Sequence, residues 1–113
     1  MHEYSIALDL MRNIEAAAAP YESAAVHRVH LRIGELAGVE AGLLSSAFEL
    51  VRTGTICAAA ELEIQTSPAV WCCSMCGKAI APGAPLRCPD CEVPARMDSG
   101  DEIMLERLEM EVD

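Results

Sequence analysis

Two C-x-x-C pairs, Cys73/Cys76 and Cys88/Cys91, stand eleven residues apart in the stretch WCCSMCGKAIAPGAPLRCPDCE. Each pair makes a tight turn that aims two sulfurs at one point, and backbone N–H groups in the turn can donate to the thiolates. Two such turns facing each other supply four soft ligands in a tetrahedron, the arrangement zinc takes in closed structural sites. Gly77 and Pro89 suit sharp knuckles. A module of roughly 30 residues with few apolar groups does not fold without its metal. A rubredoxin-like iron site has the same cysteine spacing, and geometry alone does not separate the two metals. Cys72 offers a C-x-x-x-C alternative to Cys73, although the two-residue gap of Cys73 matches that of the second pair. Cys57, alone in TICAAA, reads as a small buried residue.

Around this module the chain carries alternating signals. Tyr4, Leu8, Met11, Ile14 and Ala18 recur at helical spacing from Tyr4 to about Ala19, and the helix stops before Pro20. In VHRVHLRIGEL, Val29, Leu31 and Ile33 alternate with Arg28, His30 and Arg32, the period of a half-buried strand. Leu43, Leu44, Ala47, Phe48 and Val51 return to helical spacing, with Gly54 placed to end that helix. AELEIQTS reads as a second strand, and Leu108, Met110 and Val112 alternate with Glu109 and Glu111 in a last one. The expected fold is α/β (α+β), with two helices on one face of a three-stranded sheet and an inserted zinc-ribbon module. The expected division is residues 1–69 with 101–113 as the α/β domain and residues 70–100 as the ribbon.

Composition narrows the function. Eight basic against 18 acidic residues give a net charge of −10, which repels nucleic acid phosphates and anionic membranes and favours cations or basic partner surfaces. No apolar run reaches the roughly 18 residues that span a bilayer. The first segment lacks a basic n-region, so the expected compartment is the cytoplasm, where clustered cysteines bind metal more readily than they pair. A closed tetrathiolate has no open coordination position, and no phosphate loop, H-E-x-x-H or nucleophile–histidine motif occurs, so no enzyme activity is expected.

The chain opens MHEYSIALDL. A free α-amine, the amide nitrogen of His2 and the His2 ring can close adjacent chelate rings round one cation, with Glu3 as a fourth donor. That donor set suits nickel(II) or copper(II) better than zinc. A surface site of this kind is pH-dependent and suits transfer. The alternative is a solvated His2 beside a Glu3 that favours the positive end of the first helix.

Taken in order, MHEYSIA, the strand ending IGEL, SAFELVRTGT and the module with C-x-x-C-G followed by C-P-x-C resemble the HypA/HybF family. The resemblance runs through nearly the whole chain. It implies a nickel metallochaperone for maturation of nickel–iron hydrogenase, in some members also of urease. It implies a mixed α/β nickel-binding domain with a zinc ribbon before its last strand. Carried over by position, Met1, His2 and Glu3 match the Ni(II)-binding terminus, and Cys73, Cys76, Cys88 and Cys91 match the structural Zn(II) ligands. The implied partners are a HypB-type GTPase and the hydrogenase large-subunit precursor, with the chain a monomer or weak homodimer. Met97 and Asp98 stand where some relatives have a further histidine, so no ligand is expected from there. Glu40 matches an acidic position in relatives and also reads as a helix-start carboxylate. His27 and His30 read as solvated or partner-facing strand residues. The competing classes are a zinc-ribbon adaptor and a rubredoxin-like iron protein.

Overall fold

A computed structural model describes residues 2–21 and 24–112. The first helix, α1 (His2–Ala18), starts two residues earlier than the apolar spacing suggests, so His2 and Glu3 form its first turn. Its buried face is Ala7, Leu10, Met11, Ile14 and Ala18, while Tyr4 and Leu8 are 41% and 36% exposed. Ala7, Met11, Ile14 and Ala18 follow i, i+4, i+7, i+11 spacing along one stripe, in which the small Ala7 is fully buried. Pro20 disfavours helical backbone at Ala19, and the chain turns there with Tyr21 donating to the Ala18 carbonyl at 2.9 Å.

Strand β1 (Ala25–Gly34) buries Val26, Val29, Leu31 and Ile33. A bulge between Val26 and Arg28 explains why Val26 and Val29 share a face at odd spacing. From β1 the chain crosses through α2 (Ala41–Val51) to β2 (Glu61–Ser67), which pairs parallel to β1 with Val29 opposite Leu62 and Leu31 opposite Ile64. A parallel neighbour needs such a crossover, and a helix supplies it. Helix α2 buries Leu44, Ala47 and Phe48, whereas Leu43 is left at the surface. The last strand, β6 (Ile103–Glu111), pairs antiparallel on the other side of β1, giving the order β2-β1-β6. Both helices cover one face, and Ile14, Val29, Leu31, Leu44 and Phe48 meet in the core. The opposite face carries charge: Arg28 pairs with Glu61 at 3.3 Å and Arg32 with Glu106 at 3.0 Å.

Between β2 and β6 lies a second three-stranded sheet, which the cysteine spacing does not announce. It consists of β3 (Val70–Cys73), β4 (Ala79–Ile80) and β5 (Ala95–Ser99) in the order β4-β3-β5. The radius of gyration is 17.9 Å, against about 13 Å for a compact chain of this length. The two sheets therefore sit end to end. Among the described residues no helix is long and apolar enough to cross a membrane.

Candidate metal centre

Each knuckle is built the same way. After Cys73 the chain turns back so that Cys73 donates to the Lys78 carbonyl and Gly77 to the Cys73 carbonyl. After Cys88 the matching bonds run from Cys88 to the Val93 carbonyl and from Glu92 to the Cys88 carbonyl. Both turns need a left-handed residue at the same place: Gly77 has φ 76° and Glu92 has φ 56°. Inside each turn the amides aim at sulfur. Met75 and Cys76 N–H each reach Cys73 Sγ at 3.3 Å, and Cys91 N–H reaches Cys88 Sγ at 3.4 Å.

These turns bring Cys73, Cys76, Cys88 and Cys91 together, with their four sulfurs all within 4.8 Å of one another. The Cys76 and Cys88 sulfurs are 3.8 Å apart. A tetrahedron with metal–sulfur bonds of about 2.3 Å has edges of about 3.8 Å, so the Cys76–Cys88 pair already has the spacing of a zinc tetrathiolate and the other sulfurs stand within about 1 Å of it. Electrostatics agrees. The Cys76 N–H holds the Cys73 thiol down to about 6, and bonds to Cys76 and Cys73 push Cys91 up to about 12. One thiolate forms readily at Cys73, and Cys76 and Cys91 resist following it until a cation balances them. Successive β3 side chains point to opposite faces. Cys72 therefore turns away from the cluster that Cys73 joins, and it is buried outside it. Cys57 is also buried, and burial pushes its thiol up to about 11.

The terminus is arranged differently. Met1 lies outside the described residues. His2 projects into solvent, with Nδ1 3.6 Å from Glu3 Oε2, whereas the Glu3 side chain is 14% exposed. The N–H of Glu40 donates to Glu3 Oε2 at 3.3 Å and is the main cause that lowers the Glu3 carboxyl below its usual range. The Glu40 carboxylate is turned the other way. It caps α2, accepting from Gly42 N–H at 3.2 Å and Leu43 N–H at 2.6 Å. The first N–H groups of α1 have no acceptor four residues back, which leaves the His2 and Glu3 amides outside the helical ladder.

The remaining candidates are placed elsewhere. His30 lies between strands, with Nδ1 3.2 Å from Glu63 and Nε2 2.5 Å from Glu109. His27 stands 3.5 Å from Glu111. Met97 sits opposite Trp71 in the β4-β3-β5 sheet, and Asp98 is 3.7 Å from Arg96.

Residues 1–110 match the model of a family described as "HypA: Hydrogenase/urease nickel incorporation, metallochaperone, hypA". The chain belongs to the HypA family. It is thus a metallochaperone of hydrogenase or urease nickel incorporation, and its four-cysteine cluster fits zinc. Relatives named hydrogenase maturation factor HypA include one from Shewanella baltica, 36% identical over all of this chain and 98% of its own length. One from Wolinella succinogenes is 38% identical, again over all of this chain and 98% of its own. The solution structure of the Ni metallochaperone HypA from Helicobacter pylori superposes with a TM-score of 0.77 at 29% identity, covering 98% of each chain. A second HypA solution structure gives 0.80 at 29% identity over all of this chain and 98% of that one. A zinc-ribbon adaptor or rubredoxin-like reading does not account for a likeness that includes both sheets.

Proposed function

We propose that the chain captures Ni(II) at Met1, His2 and Glu3, and that Cys73, Cys76, Cys88 and Cys91 hold a structural Zn(II). The observation that carries this reading is the separation of two donor sets within a HypA-family chain: four clustered sulfurs in the two knuckles, and an imidazole and carboxylate at the start of α1. The sulfur set is closed by its own four ligands and supplies no exchange position. The terminal set is open. His2 offers Nδ1 at the surface, and its amide and that of Glu3 have no helical acceptor to lose. Nickel is the cargo here, and deprotonated nitrogen donors in one plane suit it.

Residues 1–69 and 101–113 form the cargo-binding unit in this reading, and residues 70–100 the four-cysteine unit. Delivery runs to a hydrogenase large-subunit precursor, with a HypB-type GTPase supplying the hydrolysis, in the cytoplasm. The chain itself performs no catalysis in this scheme. Its net charge of −10 favours basic faces on those partners.

The test is metal content of the untagged chain, its His2→Ala variant, and a form with one residue added before Met1. Both altered forms are expected to lose nickel and keep zinc. Equal nickel in all three would remove the terminal site from consideration.

A further inference from the structure

Strand β1 ends at Gly34 and the chain turns through Glu35 and Leu36, and nickel capture gives that turn no task. It lies between the two chain passes that join the sheets, Ser67–Val70 going out and Ser99–Glu102 coming back. Its three successive amides are shared between those passes. Gly34 donates to Glu102 O at 2.8 Å, Glu35 to Ser67 O at 2.8 Å, and Leu36 to Gly100 O at 2.7 Å. Two carboxylates complete the arrangement. Glu35 accepts from Ala69 N–H at 2.7 Å. Glu102 accepts from Gly100 N–H at 2.7 Å and from the Ser67 hydroxyl at 3.2 Å.

The passes also approach more closely than side chains permit. A Cβ on Gly34 would stand 2.2 Å from the Gly100 carbonyl, and one on Gly100 would stand 2.5 Å from Ala69 Cα. Gly100 has φ +127° and is buried, as is Gly34. A flexible tether needs neither buried glycines nor carboxylates aimed at its amides. The same run of chain continues to Glu40, whose N–H holds Glu3.

We propose that Gly34, Glu35, Gly100 and Glu102 form a latch that fixes the four-cysteine module against the β2-β1-β6 sheet, and that nickel transfer uses this fixed orientation. The second half rests on the delivery function proposed above. The latch itself does not.

Residual dipolar couplings measured on the two sheets test the first half. The native chain is expected to need one alignment tensor for both sheets. Gly34→Ala, which forces Gly34 and Gly100 apart, is expected to need two, with zinc content unchanged. Glu35→Ala removes the acceptor of Ala69 N–H from an exposed position, and the Ala69 amide should exchange about fivefold faster. Glu35→Gln keeps an acceptor and restores slow exchange. Two tensors in the native chain overturn the latch, as does unchanged exchange at Ala69 in Glu35→Ala. Should Gly34→Ala lose its fold, the Glu35 pair decides. For the second half, nickel-loaded Glu35→Ala is expected to pass nickel to the hydrogenase precursor at least threefold more slowly than Glu35→Gln. Equal rates overturn that half. A native chain that binds no nickel overturns the delivery reading and leaves the couplings to judge the latch.

Discussion

Glu3 and Glu40 meet through one bond: the Glu40 backbone N–H donates to Glu3 Oε2 at 3.3 Å, while the Glu40 carboxylate faces the first turn of α2. The two acidic residues therefore have different tasks. Glu3 is fixed by the backbone of residue 40, whatever side chain stands there, and Glu40's own side chain is committed to capping Gly42 and Leu43.

Glu40→Ala should act first on stability. Losing an N-cap costs about 0.5–2 kcal/mol, and about 1 kcal/mol lowers Tm by roughly 4–8 °C in a domain of this size. Glu40→Asp should recover most of that loss, because a shorter carboxylate still caps. Thermal unfolding of the three chains under one buffer decides it. A Glu40→Ala chain that melts with the native one would mean that the capping bonds contribute nothing.

Acid should loosen the junction between the sheets. The Gly100 N–H is the main cause that holds the Glu102 carboxyl below its ordinary range, with the Ser67 hydroxyl helping. A depressed carboxyl stabilises the fold above the unfolded-state value and loses that contribution as pH falls through the folded one. The window lies below the ordinary carboxylate range. The protection factor of the Gly100 amide, its exchange rate referred to the intrinsic rate at each pH, should fall there in the native chain. In Glu102→Gln the protection factor should be the same above and below that window, since no ionisation remains to be lost.

How much of this was legible in the sequence differs by element. β1 was readable because Val29, Leu31 and Ile33 alternate and three strongly polar residues fall between them. The buried face of α1 was not fully readable. Ala7 carries too little hydrophobic weight to outbid Tyr4, yet its small size is what close packing selects. Spacing points to Cys73, Cys76, Cys88 and Cys91 as one set, and these are the four whose sulfurs cluster in the structure. The β4-β3-β5 sheet was hidden because β4 is two residues long and β5, ARMDS, alternates weakly. The hold of Glu40 on Glu3 was out of reach, since it joins a backbone amide to a side chain 37 positions away.

Zinc removal should separate the two sheets' stabilities. The hydrophobic core is drawn from α1, α2, the β2-β1-β6 sheet, Ala37, Val39 and the segment 56–60, and among the described residues none of the cysteine module belongs to it. Chelation should therefore collapse amide dispersion for residues 70–99 and leave the core resonances in place. Cys73→Ala should reproduce that loss, and Cys72→Ala should keep its metal. Retained zinc in Cys73→Ala would reassign the first ligand to Cys72.

Glu92 offers the sharpest local test, because two equivalent turns use different residues at one conformation. Gly77 adopts φ 76° without cost, whereas Glu92 adopts φ 56° with a Cβ. A side chain in the left-handed region costs roughly 1–2 kcal/mol, partly offset by the roughly 0.5–1 kcal/mol of extra chain entropy that a glycine must give up. Glu92→Gly should therefore be neutral or stabilise the metal-bound module by up to about 1.5 kcal/mol. Gly77→Ala should destabilise it by about the same amount, since space around Gly77 is open and only the dihedral resists. Chelator competition with zinc reads both, as metal binding and folding of the module are one equilibrium. The order expected for resistance to chelation is Glu92→Gly, then native, then Gly77→Ala. A reversed order would show that the two turns are not equivalent once the metal is bound.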